Sequence, residues 1–427
     1  MTMSLPQALV LRQVQLLEGP GQAPHRTDVR LEDGCLKAWG EGCLDPSTQQ
    51  IDASEMLLAP PLVDPHSCLE DPQHGVAETR ASLERSAIAA GYGTVALLPD
   101  ANPWRDTPER LQASGVSPAG GLQLLLWGSF SLAGEGLELA PHGDQLASGA
   151  LGLADGSQRP SLPLLERGLS LAEMDRAPVL LAPRDRSLAQ EGFVREGVEA
   201  LRAGWPTDPV TSETFPLRTL LDLAARYPSV RLQLMNLSTA DAVALLGSLP
   251  MEQRPAATVC WWHLLADSGG LDPIAEGWRV EPPLGTAQDR ERLKQGLRDG
   301  QIAAVAVHHQ ALDPEEQLLP VDQRRPGVAG HRFVLPALWQ ELVEGDGWSA
   351  DQLWQVLCFG PASMLGLEPP TLQLGSDRWL LFDPSQVWSA QGDHYAPLAA
   401  NQPLGRSTLK GQVVATGLNP QLWRRSS

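Results

Sequence analysis

Nine histidines and 51 Asp and Glu residues give this chain ample imidazole and carboxylate for hydrolytic chemistry. Many of these groups end apolar runs: Asp64 and His66 close LLAPPLVDPH, Asp100 closes GTVALLPD, Asp155 closes GALGLAD and Asp185 closes APVLLAPRD. Asn236 ends VRLQLMN, His263 ends AATVCWWH, and His308 with His309 ends IAAVAVHH. Such groups converging at strand ends could do general acid–base work or hold a metal ion that activates water. Cys68 follows His66 at the next position but one, and a thiolate is a legitimate zinc ligand, so His66, Cys68 and His308 form a conceivable three-ligand set. A structural reading competes with it and leads. A lone cysteine inside a barrel usually behaves as a small apolar residue, and paired histidines at a strand end are often simply hydrogen-bonded.

The elements that must position these groups follow from the same runs. Eight apolar runs alternate with stretches of helical spacing such as VAETRASLERSAIAAG, TFPLRTLLDLAARYP, TADAVALLGS and DRERLKQGLRDG. Runs buried on both faces and separated by helices predict a parallel (β/α)8 barrel, in which the polar strand ends line one mouth. No glycine-rich phosphate loop follows any strand, so a nucleotide fold lacks positive evidence. The flanks have a different texture, with short β elements punctuated by Gly and Asp in LVLRQVQLLEG, DVRLEDGCLKAWGEG, RWLLFDPSQVW and STLKGQVVATG. These predict a small β-sandwich built from both termini, residues 1–57 and 368–427, around a barrel at 58–367.

Composition bounds the partners. Thirty-two Lys and Arg against 51 acids give a net charge of −19, and only Lys37, Lys294 and Lys410 are lysines. No basic stripe for a phosphate backbone can be assembled, so no nucleic acid is expected. No apolar run approaches a membrane span, and the start of the chain has no leader pattern. Five widely spaced cysteines do not resemble a disulfide framework. A cytoplasmic protein without a membrane partner is the expectation.

The series IDASEMLLAPPLVDPHSCLEDP, GYGTVALLPDANPWRDT, EGFVREG, LMNLST, WWHL, VEPPLGTAQDRERLKQGLRDGQIAAVAVHH, RRPGVAGHRFVLP, GPASMLGL and LKGQVVATG resembles the dihydroorotase family of the amidohydrolase superfamily nearly end to end. The resemblance implies a metal-dependent hydrolase barrel with a small β-sandwich. It also implies chemistry on a cyclic amide by one or two zinc ions, with a carboxylate to shuttle the proton. Position by position, most of that equipment is replaced. The family's H-x-H reads His66-Ser67-Cys68, and the substrate-gripping arginine is Glu70. The substrate amide is Asp100, the H-x-E-D strand reads Ala182-Pro183-Arg184-Asp185, and the H-I-x-H strand ends in Asn236. The N-P-P-L-R loop reads Glu281-Pro282-Pro283-Leu284-Gly285, and His308 stands at the catalytic aspartate. Asp155 is the candidate for the bridging carboxylate, in a motif one residue short, and His263 fits either a position that contacts the substrate ring or packing beside its two neighbouring tryptophans.

What this implies is a dihydroorotase-like protein of pyrimidine biosynthesis without dihydroorotate hydrolysis, with no catalytic residue and no cofactor expected. It would act as a structural or regulatory subunit, partnered by aspartate carbamoyltransferase or by a second copy of itself. Glu70, Asp100 and Glu281 would make the mouth acidic and repel an anionic substrate. The alternative is an active cyclic-amide hydrolase that uses zinc at a reduced site.

Overall fold

The computed structural model describes residues 4–43, 48–113, 121–157, 159–270 and 272–424. The outermost residues of the two expected terminal segments, 1–3 and 425–427, lie outside the described residues.

All eight apolar runs become barrel strands. In chain order these are Leu62–Ser67, Tyr92–Leu97, Gln123–Leu126, Leu153–Ala154, Pro178–Leu181, Arg231–Leu234, Ala256–Cys260 and Ala304–Ala306, the third resuming after Trp127 as Gly128–Ser129. Neighbours pair in parallel around the ring. The ring closes where the last strand meets the first: His308 N donates to His66 O at 3.1 Å and Cys68 N to His309 O at 2.8 Å. Asp64 Oδ1 accepts from Val307 N at 3.0 Å across the same seam. These strands are rich in Val, Leu and Ala and have almost no exposed residue, as required of a sheet whose faces are both covered. The fourth strand is short because the chain there is squeezed. A Cβ on Gly152 would meet Pro178 O at 2.4 Å and the Trp127 ring at 2.8 Å.

The expected helices form at Arg80–Ala89, Thr211–Arg226, Ala240–Gly247 and Ala287–Arg298. Three begin at a threonine whose hydroxyl accepts from the first-turn backbone: Thr79 and Thr286 in reciprocal capping boxes with Ser82 and Asp289, and Thr239 from Ala242 N. Between the fifth and sixth barrel strands, Val194–Arg195 pairs in parallel with Thr207–Asp208. This small unit packs Phe193 against Trp205 and Trp278 in an aromatic cluster separate from the main core.

Both termini do meet. Ala8–Leu16, His25–Glu32, Cys35–Trp39, Gln49–Asp52 and Leu57–Ala59 join Leu380–Ser389 and Thr408–Thr416 in one seven-stranded sheet. The strands expected to form a sandwich make one hydrogen-bonded sheet, with Leu57–Ala59 lying between the N-terminal strand Ala8–Leu16 and the C-terminal strand Leu380–Ser389. Its core is Leu9, Leu11, Val14, Val29, Leu31, Trp379, Leu381 and Trp423. All five cysteines are free, four of them buried, and no helix among the described residues is long and apolar enough to cross a membrane.

Candidate functional site

His66 and His308 face each other at the seam between the last and first strands, at the mouth of the barrel. Their Nδ1 atoms are 3.1 Å apart, so one imidazole donates to the other. His66 Nε2 lies 2.9 Å from Thr258 Oγ1, which also accepts from Asn236 N at 2.8 Å. Burial holds both imidazoles neutral: His66 titrates well below the usual range and His308 is pushed down to about 4. Beneath them, Asp64 Oδ2 accepts from Ser67 Oγ at 2.5 Å and from His331 Nε2 at 2.9 Å. Asp64, given by the strand-end pattern, is therefore a fully buried anchor of the seam, and so is His331, to which the sequence assigns no role.

The other candidates do not gather on this pair. Cys68 packs with Ala96, Leu98, Trp127, Ala182 and Met235, and burial pushes its thiol well up, away from the thiolate a metal would need. Asp155 accepts from Ser131 N at 3.0 Å, Ser131 Oγ at 2.7 Å and Ser129 Oγ at 3.2 Å, and burial still raises its carboxyl to about 6. It braces the segment after the third strand. His263 Nε2 donates to Pro282 O at 3.0 Å, leaving Nδ1 buried without a partner, and burial lowers its titration to about 4. Gly285 is filled from outside: a Cβ there would stand 2.6 Å from Asp289 Cβ, the residue that caps the next helix.

Two of the three acids expected at the mouth are answered by arginines. Glu281 is ion-paired, its Oε1 3.0 Å from Arg184 Nε, while Arg184 Nη1 lies 2.7 Å from the fully buried Asp208. Arg195 continues the chain to Asp208 at 3.5 Å, Glu213 at 3.3 Å and Ser238 Oγ at 2.6 Å. Glu70 lines a cleft together with Cys68 and Asp100, and its Oε2 is 2.9 Å from Arg325 Nη2. Asp100 is raised by burial and by the charges of Glu70 and Glu281. Arg184 stands in the expected metal-ligand strand, where its charge answers Glu281. Neither the strand-end pattern nor the resemblance points to Arg195, Asp208, Glu213 or Thr258, because their roles arise from partners distant in sequence.

Between Ala182, Met235, Asn236, Glu281, Pro282 and His308 the remaining cavity is about 20 Å³. A water needs roughly 10–15 Å³ of such space, so this cavity holds about one water. Asn236 Nδ2 is buried there without a partner. The cleft over Cys68, Glu70, Asp100 and Gln310 has a volume of about 450 Å³.

A protein from Synechocystis sp. described as a probable dihydroorotase-like protein is 34% identical over 397 residues, covering 86% of this chain and 89% of that one. The chain belongs to the dihydroorotase-like family. A dihydroorotase from Syntrophotalea carbinolica is 27% identical over 408 residues and 94% of this chain. No family model matches the sequence. Among solved structures, an L-hydantoinase (dihydropyrimidinase) from Arthrobacter aurescens superposes with a TM-score of 0.78 at 19% identity, covering 97% of this chain and 94% of that one. A dihydropyrimidinase from Brevibacillus agri gives 0.76 at 17% identity over 96% of this chain. Both likenesses support the barrel fold.

The zinc that the dihydroorotase resemblance implies can be tested against the side chains present. Zinc sites take three or four His, Cys or carboxylate ligands. Among the described residues no three such groups converge. In this dihydroorotase-like chain the positions that the resemblance expects as ligands at Ala182 and Asn236 offer a methyl group and a neutral amide, Cys68 is held as a thiol in an apolar cluster, and Asp155 accepts from serines. The donor set does not fit the metal.

Proposed function

We propose that this chain is a dihydroorotase-like barrel that does not hydrolyse dihydroorotate and serves as a structural or regulatory subunit, either of an assembly with aspartate carbamoyltransferase or of a homo-oligomer. The observation that carries the reading is the donor set: among the described residues no three His, Cys or carboxylate groups converge, and beside His308 Arg184 bridges Asp208 and Glu281. The cleft over Cys68, Glu70 and Asp100, about 450 Å³, has room for a small ring, so the reading rests on the ligands and not on space. The missing third ligand matters because activation of water at neutral pH is what the metal would supply.

The competing reading is an active cyclic amidohydrolase, favoured by the dihydroorotase names of the relatives. The deciding experiment follows ring opening of dihydroorotate and ring closure of carbamoyl aspartate, with zinc or manganese added and with chelator. No turnover above the uncatalysed rate, together with metal content far below one equivalent, is the expected result. A rate that rises with added zinc would establish the hydrolase instead. The subunit role is tested by sedimentation with and without aspartate carbamoyltransferase, where a single unassociated species under both conditions would remove it.

A further inference from the structure

A second cleft opens on the same face of the barrel, bounded by the segments that follow the fifth, seventh and eighth strands. Its volume is about 660 Å³, and Arg184, Arg186, Phe193, Arg279, Glu281 and Asp322 are among its lining residues. That size falls in the range of small-molecule pockets, and the C-terminal face of a parallel barrel is where such pockets are built.

The informative residue is Arg279. Its guanidinium carbon sits 4.6 Å from the centroid of the Phe193 ring, and Phe193 is itself held by Trp278 and Trp205. Arg279 Nε donates to Arg324 O at 3.2 Å, which fixes the plane of the fork. Among the described residues no carboxylate lies within 4.0 Å of Arg279, and its Nη1 and Nη2 atoms carry no protein hydrogen bond. A flat guanidinium, stacked on an aromatic ring and tethered at Nε, presents two parallel N–H donors with little rotamer entropy left to lose. That is the arrangement that receives a carboxylate or phosphate in bidentate fashion. The acids of the cleft do not fill the role. Glu281 is occupied by Arg184, and Glu191 and Asp322 are exposed at the rim. Gln190, on the same wall, has φ 51° and ψ −124°, a strained conformation for a residue with a side chain.

We propose that this cleft binds the oxyanion of a small molecule, a carboxylate or a phosphate, with Arg279 as its receptor. The proposal is independent of the preceding reading, since binding is measured here without turnover and either can fail alone.

The test titrates the full-length protein with succinate and, separately, with inorganic phosphate, by calorimetry in low-salt buffer. Saturable one-to-one binding of at least one of them is expected. Arg279→Gln is expected to weaken it by at least about tenfold, the scale of losing charge-assisted hydrogen bonds. Arg279→Lys should fall between, because it keeps the charge and loses the fork. The absence of saturable binding for both probes, or equal binding by Arg279→Gln and the native chain, would overturn the proposal. If Arg279→Gln does not fold, Asp322→Asn decides: removing this exposed carboxylate from the field of Arg279 should tighten binding by about twofold or more. Unchanged or weaker binding by Asp322→Asn would then overturn it.

Discussion

At the scale of single residues, Arg184 carries the largest consequence. It is 8% exposed and its partner Asp208 is fully buried. Removing one member of a buried ion pair costs about 3–5 kcal/mol where the other is left uncompensated; here Arg195 stays near Asp208, and Glu281 loses its arginine, so the lower end applies. Arg184→Met should therefore destabilise the protein by about 3 kcal/mol in urea denaturation, and the double variant Arg184→Met, Asp208→Asn should recover part of it. Equal stability of Arg184→Met and the native chain would show the pair to be incidental. His263 gives a pH dependence with a definite sign. Burial lowers its folded value to about 4 from an ordinary 6.5, so between these two values the unfolded chain binds the proton and the folded chain does not. Stability should be unaffected above the ordinary value and should fall as pH drops through that window, by about 3 kcal/mol at most from this residue. His66, His142, His308 and His331 are shifted in the same direction and will steepen the loss. Melting temperatures across the window should show a shallower decline for His263→Gln, and an identical slope would remove His263 from the account.

At the scale of elements, the helix Ala287–Arg298 and the loop before it are bound together by Asp289. This carboxylate caps its own helix through Thr286, and its Oδ1 also accepts from Ala240 N at 2.7 Å, at the start of the preceding helix. Gly285→Arg, which would restore the arginine the family resemblance leads one to expect, must displace Asp289 and should cost about 1–2 kcal/mol through the lost cap. Faster amide exchange in the first turns of both helices would report it, and native exchange rates would mean that the loop absorbs the side chain. The strands and helices were legible in the sequence because each depends on a local pattern: eight apolar runs, helical spacing between them, Gly and Asp at turns. The site was legible only as a set of residue types. His66 and His308 could be placed at strand ends, but the pairing of Glu281 with Arg184 and of Glu70 with Arg325 joins segments far apart in the chain. A list of acids shows their number without showing which of them are already neutralised. Cys68 and Asp155 illustrate the converse, since their spacing suited a metal site while their neighbours, an apolar cluster and two serines, suit a core.

At the scale of the whole molecule, barrel and terminal sheet share elements. Arg332, next to His331 of the seam, donates to Asp393 Oδ2 at 2.7 Å in the segment between the two C-terminal strands, and its guanidinium carbon lies 4.4 Å from the Trp388 ring centroid. A chain cut after Leu374 should therefore lose cooperative thermal unfolding of the barrel as well as the terminal sheet, and a sharp transition in calorimetry would instead show the barrel to be self-sufficient. The seam has a further consequence, in time. The contact of His66 with His308 spans 242 positions, and closing a loop of that length costs chain entropy well before the contact repays it. During synthesis His66 emerges long before the segment that covers it, and it waits hydrated and able to take a proton. The two imidazoles can lose their ordinary basicity only when the last strand docks, so their titration dates the moment at which the ring is sealed.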